Sequence, residues 1–263
     1  MFFFDGQLME GDVISLPVND LGLLYGATVF TTLRVYDRSL DHPLTNWDAH
    51  CDRTYHSIKI FDWIMPNWQR IKKEAQYLTN YYPVLRVTVF PDGKELILGR
   101  SLPDNLQEKQ QSGISAKVII DHHNNRSLPN HKTGNYLTPF LSLNKAKKDG
   151  FQEAILTDNN GNWLETSTGN LWGYVDGDWF TPLISEGILP GIARNVIIRN
   201  ANFSVKENVW NPYFIEKLEA IAHSNSVIEV VPFHTINVNE KILNFDPYHP
   251  AIQQLKNVFM NLI

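Results

Sequence analysis

The spacing of apolar residues along the chain switches repeatedly between alternation and helical steps, and each switch marks an element. Residues 2–5 and 7–15, separated by Gly6, predict a short strand, a turn and a second strand, and the β-branched and aromatic run at 27–36 predicts another strand. From Asn46, a candidate N-cap, the pattern turns helical and sets His50 and Arg53 three residues apart on one face. A second helix starts near Asn67, where Trp68, Ile71, Ala75 and Leu78 recur at helical spacing. Residues 84–90 then read as a buried strand closed by a turn at Pro91-Asp92-Gly93.

The composition becomes polar over 101–112, which reads as a linker or surface excursion with the true boundary as late as Pro129. Beyond it, 116–121 predicts a strand, and 139–148 a helix with Thr138 as cap, Pro139 in its first turn and Gly150 ending it. Asn160-Gly161 and Asp176-Gly177 each lie between strand-like runs and predict hairpins, so Glu165 falls on the strand after the first turn. Leu189-Pro190-Gly191-Ile192-Ala193-Arg194 stands immediately before the helical pattern Val196, Ile197, Ala201, and Ser224-Asn225-Ser226 follows the apolar run 220–222 and so sits at the end of a strand. Ile252, Leu255, Val258, Phe259 and Leu262 mark a C-terminal helix. Together the elements predict a mixed α/β protein with a small N-terminal domain over 1–112, a boundary region over 113–128 and a larger C-terminal domain over 129–263.

Composition narrows the function. At 263 residues the chain can bury a large core, and a formal charge of -5 without a long Lys/Arg run argues against nucleic acid and anionic membrane as partners. The expected partner is a small molecule. Cys51 is the only cysteine, which excludes an intrachain disulfide or a zinc site of several thiolates and suits a small buried hydrophobe better than a reactive thiol. The opening 1–6 is too short and too soon interrupted by Asp5 for a secretory signal, and no apolar run nears the ~20 residues of a membrane span, so a cytoplasmic protein is expected. None of the nine histidines forms a helical His-x-x-x-His pair beside a carboxylate, and the adjacent His122 and His123 would point to opposite faces of a strand. No metal site is expected.

The segment between Lys132 and Asn170 carries the chemistry. It opens with His131-Lys132-Thr133-Gly134-Asn135-Tyr136-Leu137 and closes with Glu165-Thr166-Ser167-Thr168-Gly169-Asn170-Leu171. A lysine ε-amine can form a Schiff base with an aldehyde cofactor and shuttle protons, and a carboxylate facing a pyridine nitrogen keeps it protonated as an electron sink. Taken alone, Lys132 is most simply a solvated surface group. Ile192 and Ala193, however, would present backbone N–H groups at a helix start, where phosphate binds, and Arg53 could add a bidentate guanidinium. The plainer reading of each is a turn before a helix and a surface arginine.

In this order the pieces resemble the fold-type IV pyridoxal-phosphate family, the class IV aminotransferases. The resemblance runs from Asp5-Gly6 through Tyr25-Gly26 and His50-Cys51-Asp52-Arg53 to Val231-Pro232. It implies pyridoxal 5′-phosphate as cofactor and a homodimer of subunits with a small N-terminal α/β domain and a larger mixed-sheet pseudo-barrel domain. Lys132 then matches the Schiff-base lysine, Glu165 the pyridine-nitrogen partner, and Arg53, Ile192, Ala193 and Ser226 the phosphate positions. Tyr136 matches a contact to the cofactor's phenolic oxygen. Trp172 and Trp179 depart from the usual residues but keep aromatic packing. Ala193 stands where many members have threonine, a hydroxyl whose loss costs about 0.5–3 kcal/mol if unreplaced.

The substrate is read from a few positions. Phe30-Thr31-Thr32-Leu33-Arg34-Val35 and His223-Ser224-Asn225-Ser226 resemble segments of 4-amino-4-deoxychorismate lyases, with Thr32 as a lyase hydroxyl, and favour release of 4-aminobenzoate and pyruvate. Arg86 resembles instead an arginine of branched-chain aminotransferases, so an amino-acid aminotransferase of branched-chain or D-amino acid type is the alternative. A protein that binds the cofactor without turnover stands further off. In each enzyme reading Arg86 and Arg100 are the candidate partners of substrate carboxylates.

Overall fold

The computed structural model describes residues 1–120 and 127–262. The predicted pair His122-His123 lies outside the described residues. The chain divides into two compact units, Met1–Pro103 with His131–Asn135, and Asp104–Asn130 with Tyr136–Ile263.

The first unit is built on a five-stranded antiparallel sheet of β1 (Phe2–Phe4), β2 (Gln7–Met9), β3 (Val29–Arg34), β4 (Val84–Val89) and β5 (Glu95–Arg100), in the order β2-β1-β5-β4-β3. Alternation gives each strand two faces. Leu33, Leu85, Val87 and Ile97 turn to one side, where they pack with Trp47 of α2 (Trp47–Ile60) and with Ile71, Ala75 and Leu78 of α3 (Trp68–Leu78). Phe30, Thr32 and Arg34 take the other side of β3, in register with Thr88, Arg86 and Val84. The short helix α1 (Leu21–Tyr25) is capped by the Asp20 carboxylate, which accepts from Gly22 N at 2.8 Å, and none of its residues is buried.

The second unit carries α4 (Leu106–Ser112), β6 (Ile114–Ile119), α5 (Leu137–Lys148), β7 (Glu153–Thr157), β8 (Trp163–Thr166), β9 (Asn170–Val175), β10 (Asp178–Pro182), α6 (Ile192–Asn200), β11 (Val205–Asn208), α7 (Pro212–Ile215), β12 (Ala220–Asn225), β13 (Glu229–Val238), β14 (Lys241–Asn244) and α8 (Pro250–Met260). Its strands form one mixed sheet in the order β11-β10-β9-β12-β13-β6-β7-β8, with β14 on β13. Because β8 also pairs with β9, the run β9-β12-β13-β6-β7-β8 closes on itself as a barrel. The mixed α/β architecture with a barrel-like second sheet is the one expected.

Several boundaries differ from the sequence reading. The division falls at Pro103, not at 112, and 113–128 is not a linker through its first half, since β6 lies inside the barrel, parallel to both β13 and β7. Parallel neighbours come from distant sequence, so local polarity at 101–112 could not reveal this. The second strand stops at Met9 instead of 15, before Gly11 at φ +107°. Asn46 does not cap α2 with its side chain; it sits at φ +51° after a 3-10 turn and donates to Leu44 O at 3.1 Å. Helix α5 starts at Leu137 with Tyr136 as cap, so Thr138 lies inside it; Pro139 is tolerated because first-turn N–H groups have no helical partner.

Cys51 packs against the core of the first unit, and burial, followed by the charges of Asp48 and Asp52, pushes its thiol up to about 12. A disulfide reagent at pH 8 should therefore label Cys51 about a thousandfold more slowly in the native protein than in urea, since only thiolate reacts. Equal rates would contradict the packing described.

Candidate active site

The first unit holds its lysine on a sheet edge. Strand β3 is the last strand of the sheet, and the segment around Lys132 lies along its open side: Phe30 N donates to Lys132 O at 2.8 Å, Gly134 N donates to Thr28 O at 2.7 Å, and Val29 bridges Thr133. Gly134 is required there, because a Cβ would stand 2.1 Å from Thr28 Oγ1. His131 anchors the same segment through Ser57 Oγ at 2.9 Å and a ring contact with Phe61 at 4.7 Å.

This edge brings two cations over one ring. The half-buried Lys132 places Nζ 4.8 Å from the centroid of Phe30, and the Arg86 guanidinium covers the same ring at 3.6 Å. Both contacts have cation–π geometry. Thr32 pairs with Arg86 across the β3–β4 ladder, so its side chain shares this face. Arg34 and Arg100 flank Val84 one row further along, with Arg34 4.7 Å over Tyr36 and Arg100 exposed at the end of β5. Arg100 is thus not among the residues gathered at Phe30.

Thr31 turns to the opposite face, toward α2. Its hydroxyl accepts from Arg53 Nη2 at 2.9 Å and meets His50 Nδ1 at 2.5 Å. Burial, helped by the charges of Arg53 and Lys132, holds the His50 imidazole well below the usual histidine range, so it is neutral.

In the second unit Glu165 and Asn170 form the pair that joins β8 to β9. Their side chains grip the two backbone polar groups of Leu189: Glu165 Oε2 accepts from Leu189 N at 3.1 Å, and Asn170 Nδ2 donates to Leu189 O at 2.9 Å. That grip sets the Leu189-Pro190-Gly191 turn and the start of α6. Gly191 precedes the helix, no side chain caps it, and Ile192 and Ala193 are only 6% and 3% exposed. A buried helix start with uncapped N–H groups fits an anion.

Tyr136, at the head of α5, donates its hydroxyl hydrogen bond to Ser167 O. The turn carrying Ser167 is organised by the fully buried Glu153, which accepts from Ser167 Oγ and, at 2.7 Å, from Thr168 Oγ1. Burial raises the Glu153 pKa against these hydrogen bonds. Ser226 lies in the turn after β12, half-buried, while the neighbouring Ser224 is fully buried and accepts from Trp172 Nε1 at 2.8 Å. The indole in place of a smaller ring therefore has a structural partner, as does Trp179, whose Nε1 donates to Gln254 at 3.1 Å.

The candidate residues thus fall into two groups. Lys132, Arg53, Thr32, Arg86 and Arg100 belong to the first unit, and Tyr136, Glu165, Ile192, Ala193 and Ser226 to the second. The sequence reading passed over Arg34, although it shares its face with Phe30 and Thr32 by simple alternation, and it gave His50 no part in the site. Arg194, which ends the Leu189–Arg194 motif, is buried and ion-paired with Glu207, a structural role.

The half-buried lysine of the first unit suits an aldehyde that exchanges amines, and the uncapped, buried helix start of the second suits a phosphate. Comparison with known proteins agrees. The family model for amino-transferase class IV matches residues 28–236, and the chain belongs to that family of pyridoxal-phosphate-dependent enzymes. The branched-chain-amino-acid aminotransferase of Escherichia coli strain K12 is 26% identical over 263 aligned residues, covering 89% of this chain and 84% of the relative. A hypothetical aminotransferase from Mycobacterium tuberculosis in its PLP-bound form has TM-score 0.81 at 18% identity, over 98% of this chain and 97% of that one. A Legionella pneumophila chain provisionally described as a 4-amino-4-deoxychorismate lyase has TM-score 0.80 at 19% identity, over 95% and 96%. These last two likenesses show the shared fold.

The grip on Leu189 yields a direct test. A Cβ at Gly191 would stand 2.0 Å from Asn170 Oδ1. Gly191→Ala should lose about 1–3 kcal/mol and lower the thermal midpoint by several degrees, because packed surroundings relax only partly. An unchanged midpoint in calorimetry would show that Asn170 swings away freely.

Proposed function

We propose that this protein is an amino-acid aminotransferase of the branched-chain type, moving an amino group between an amino acid and a 2-oxo acid. The observation that carries this reading is the convergence of Lys132 Nζ and the Arg86 guanidinium on the Phe30 ring. An amino acid offers an amine and a carboxylate on one carbon, and this face of β3 offers an amine-exchanging group beside a carboxylate-binding one. The 26% identity to a branched-chain aminotransferase over 89% of the chain supports the same substrate class.

Each residue has a role of its own. Lys132 Nζ would hold the cofactor and carry the proton that the reaction removes and returns. Arg86, with Arg34 and Arg100 on the same face of the sheet, receives substrate carboxylates. Arg53 in the first unit, and the N–H groups of Ile192 and Ala193 with the Ser226 hydroxyl in the second, are phosphate partners. Glu165, fixed by Leu189 N, would serve as partner of the cofactor's ring nitrogen, and Tyr136 would serve its phenolic oxygen. When bound, pyridoxal phosphate supplies an electron sink for the carbon that bears the amine. Simple storage of the cofactor needs neither Lys132 nor Glu165.

A lyase acting on 4-amino-4-deoxychorismate is the second reading. Its support is Thr32, whose hydroxyl lies on the arginine face beside Arg86, where a hydroxyl serves a polar substrate as well as a small side chain serves an aliphatic one.

A homodimer is part of the proposal. Leu23, Leu24 and Tyr25 of α1 are 61%, 53% and 72% exposed, and Leu137, Phe140 and Leu141 make an exposed apolar stripe at helical spacing on α5. Sedimentation at micromolar concentration should give twice the 30.2 kDa chain mass. A monomer with full activity would remove this part of the reading.

The protein with pyridoxal phosphate should convert 4-methyl-2-oxopentanoate to leucine with glutamate as donor. Lys132→Ala should abolish that activity together with the borohydride-trappable cofactor bond. Formation of 4-aminobenzoate from chorismate, ammonia and an aminating synthase, with no amino transfer, would replace the first reading with the second.

A further inference from the structure

We propose that Thr31 is a positioning residue for Arg53, acting with His50 to fix the direction in which the guanidinium meets a phosphate ester. The inference rests on the reading of Arg53 as a phosphate partner and adds what orients it. Thr31 is buried at 3% exposure in the middle of β3, paired with Val87 on one side, and its β-branched side chain has little rotameric freedom. The sheet, not the arginine, therefore sets where the hydroxyl points.

Donor chemistry fixes the direction at Arg53, and in the proposed network the Thr31 hydrogen goes to His50 Nδ1. A guanidinium only donates, so Arg53 Nη2 gives its hydrogen to Thr31 Oγ1 at 2.9 Å. The hydroxyl has one hydrogen of its own, and His50 Nδ1 at 2.5 Å is the acceptor in line for it. His50 is 1% exposed, and its Nε2 has no hydrogen-bond partner among the described residues, so the hydrogen bonding of its ring is confined to Thr31. Donating to His50 polarises the Thr31 oxygen and strengthens its hold on Arg53. The neutral state of His50 keeps Nδ1 able to accept. Because the guanidinium is planar, anchoring Nη2 fixes the aim of its remaining donors.

The family resemblance takes Thr31 and Thr32 together, in the segment read for the substrate. The pleat separates them: Thr32 stands on the arginine face and Thr31 on the helix face with α2. The two hydroxyls serve different ends of the reaction.

The test compares pyridoxal 5′-phosphate with pyridoxal, which lacks the phosphate, by absorbance titration of the apoprotein. Thr31→Val should weaken pyridoxal 5′-phosphate binding by about tenfold, the scale of one hydrogen bond to a charged group, and leave pyridoxal binding unchanged. Thr31→Ser should restore affinity to within about threefold, and Thr31→Ala serves if the valine variant does not purify. A merely structural role for Thr31 would weaken both ligands equally, which overturns the proposal. If Thr31→Val binds both as wild type while Arg53→Ala loses its preference for the phosphate, the proposal falls and the reading of Arg53 stands. If Arg53→Ala keeps that preference, both fall together.

Discussion

The second unit depends on how its barrel is closed. Strands β8 and β9 meet at the pair Glu165 and Asn170, and the same two residues hold the N–H and the carbonyl of Leu189. One junction thus joins the ends of the sheet, fixes a carboxylate and sets the first turn of α6. Buried polar groups must be paired, and here the pairing of Leu189 is supplied by side chains at the closing seam. Gly191 is forced by the same geometry, since Asn170 occupies the space its side chain would need.

The first unit solves a different problem, which is to present a lysine from a segment without regular structure. Strand β3 ends the sheet, and its free backbone edge takes up the Lys132 segment by hydrogen bonds at Phe30, Thr28 and Val29. An exposed edge is an unpaired row of donors and acceptors, and satisfying it with residues 131–135 fixes the lysine backbone. The pleat then divides the work: Phe30 and Thr32 serve the face with Arg86, while Thr31 serves the face with Arg53 and His50. The charge state follows from burial, which keeps His50 neutral among cations.

Much of this was legible in the chain. The hairpin at Asp176-Gly177 is demanded by its residues, which take φ of +49° and +89°, and Asn67 caps α3 through Arg70 N at 3.0 Å. The C-terminal apolar spacing became α8, and the strand expected over 84–90 became β4. Misjudged features involved distant partners. The stretch 101–112 reads as a polar excursion, yet it supplies α4, and the strand expected over 116–121, set within a boundary region, is β6 of the barrel, whose parallel neighbours lie far along the chain. The place of Arg34 depends on residues across the ladder, where register sets it and Arg100 on either side of Val84.

By itself the sequence determined the chemistry available: a lysine and a glutamate in motifs specific enough to name a family and its cofactor, with a glycine placed just before a helix start. These depend on residue type and short spacing, which a chain displays directly. Tertiary structure alone decided which groups cooperate. Thr31 and Thr32 are neighbours in sequence and belong to opposite faces, while Lys132 and Arg86 are distant and share one ring. Strand pleat, edge pairing and barrel closure set those relations, and each is a hydrogen-bonding constraint between segments that local pattern does not encode.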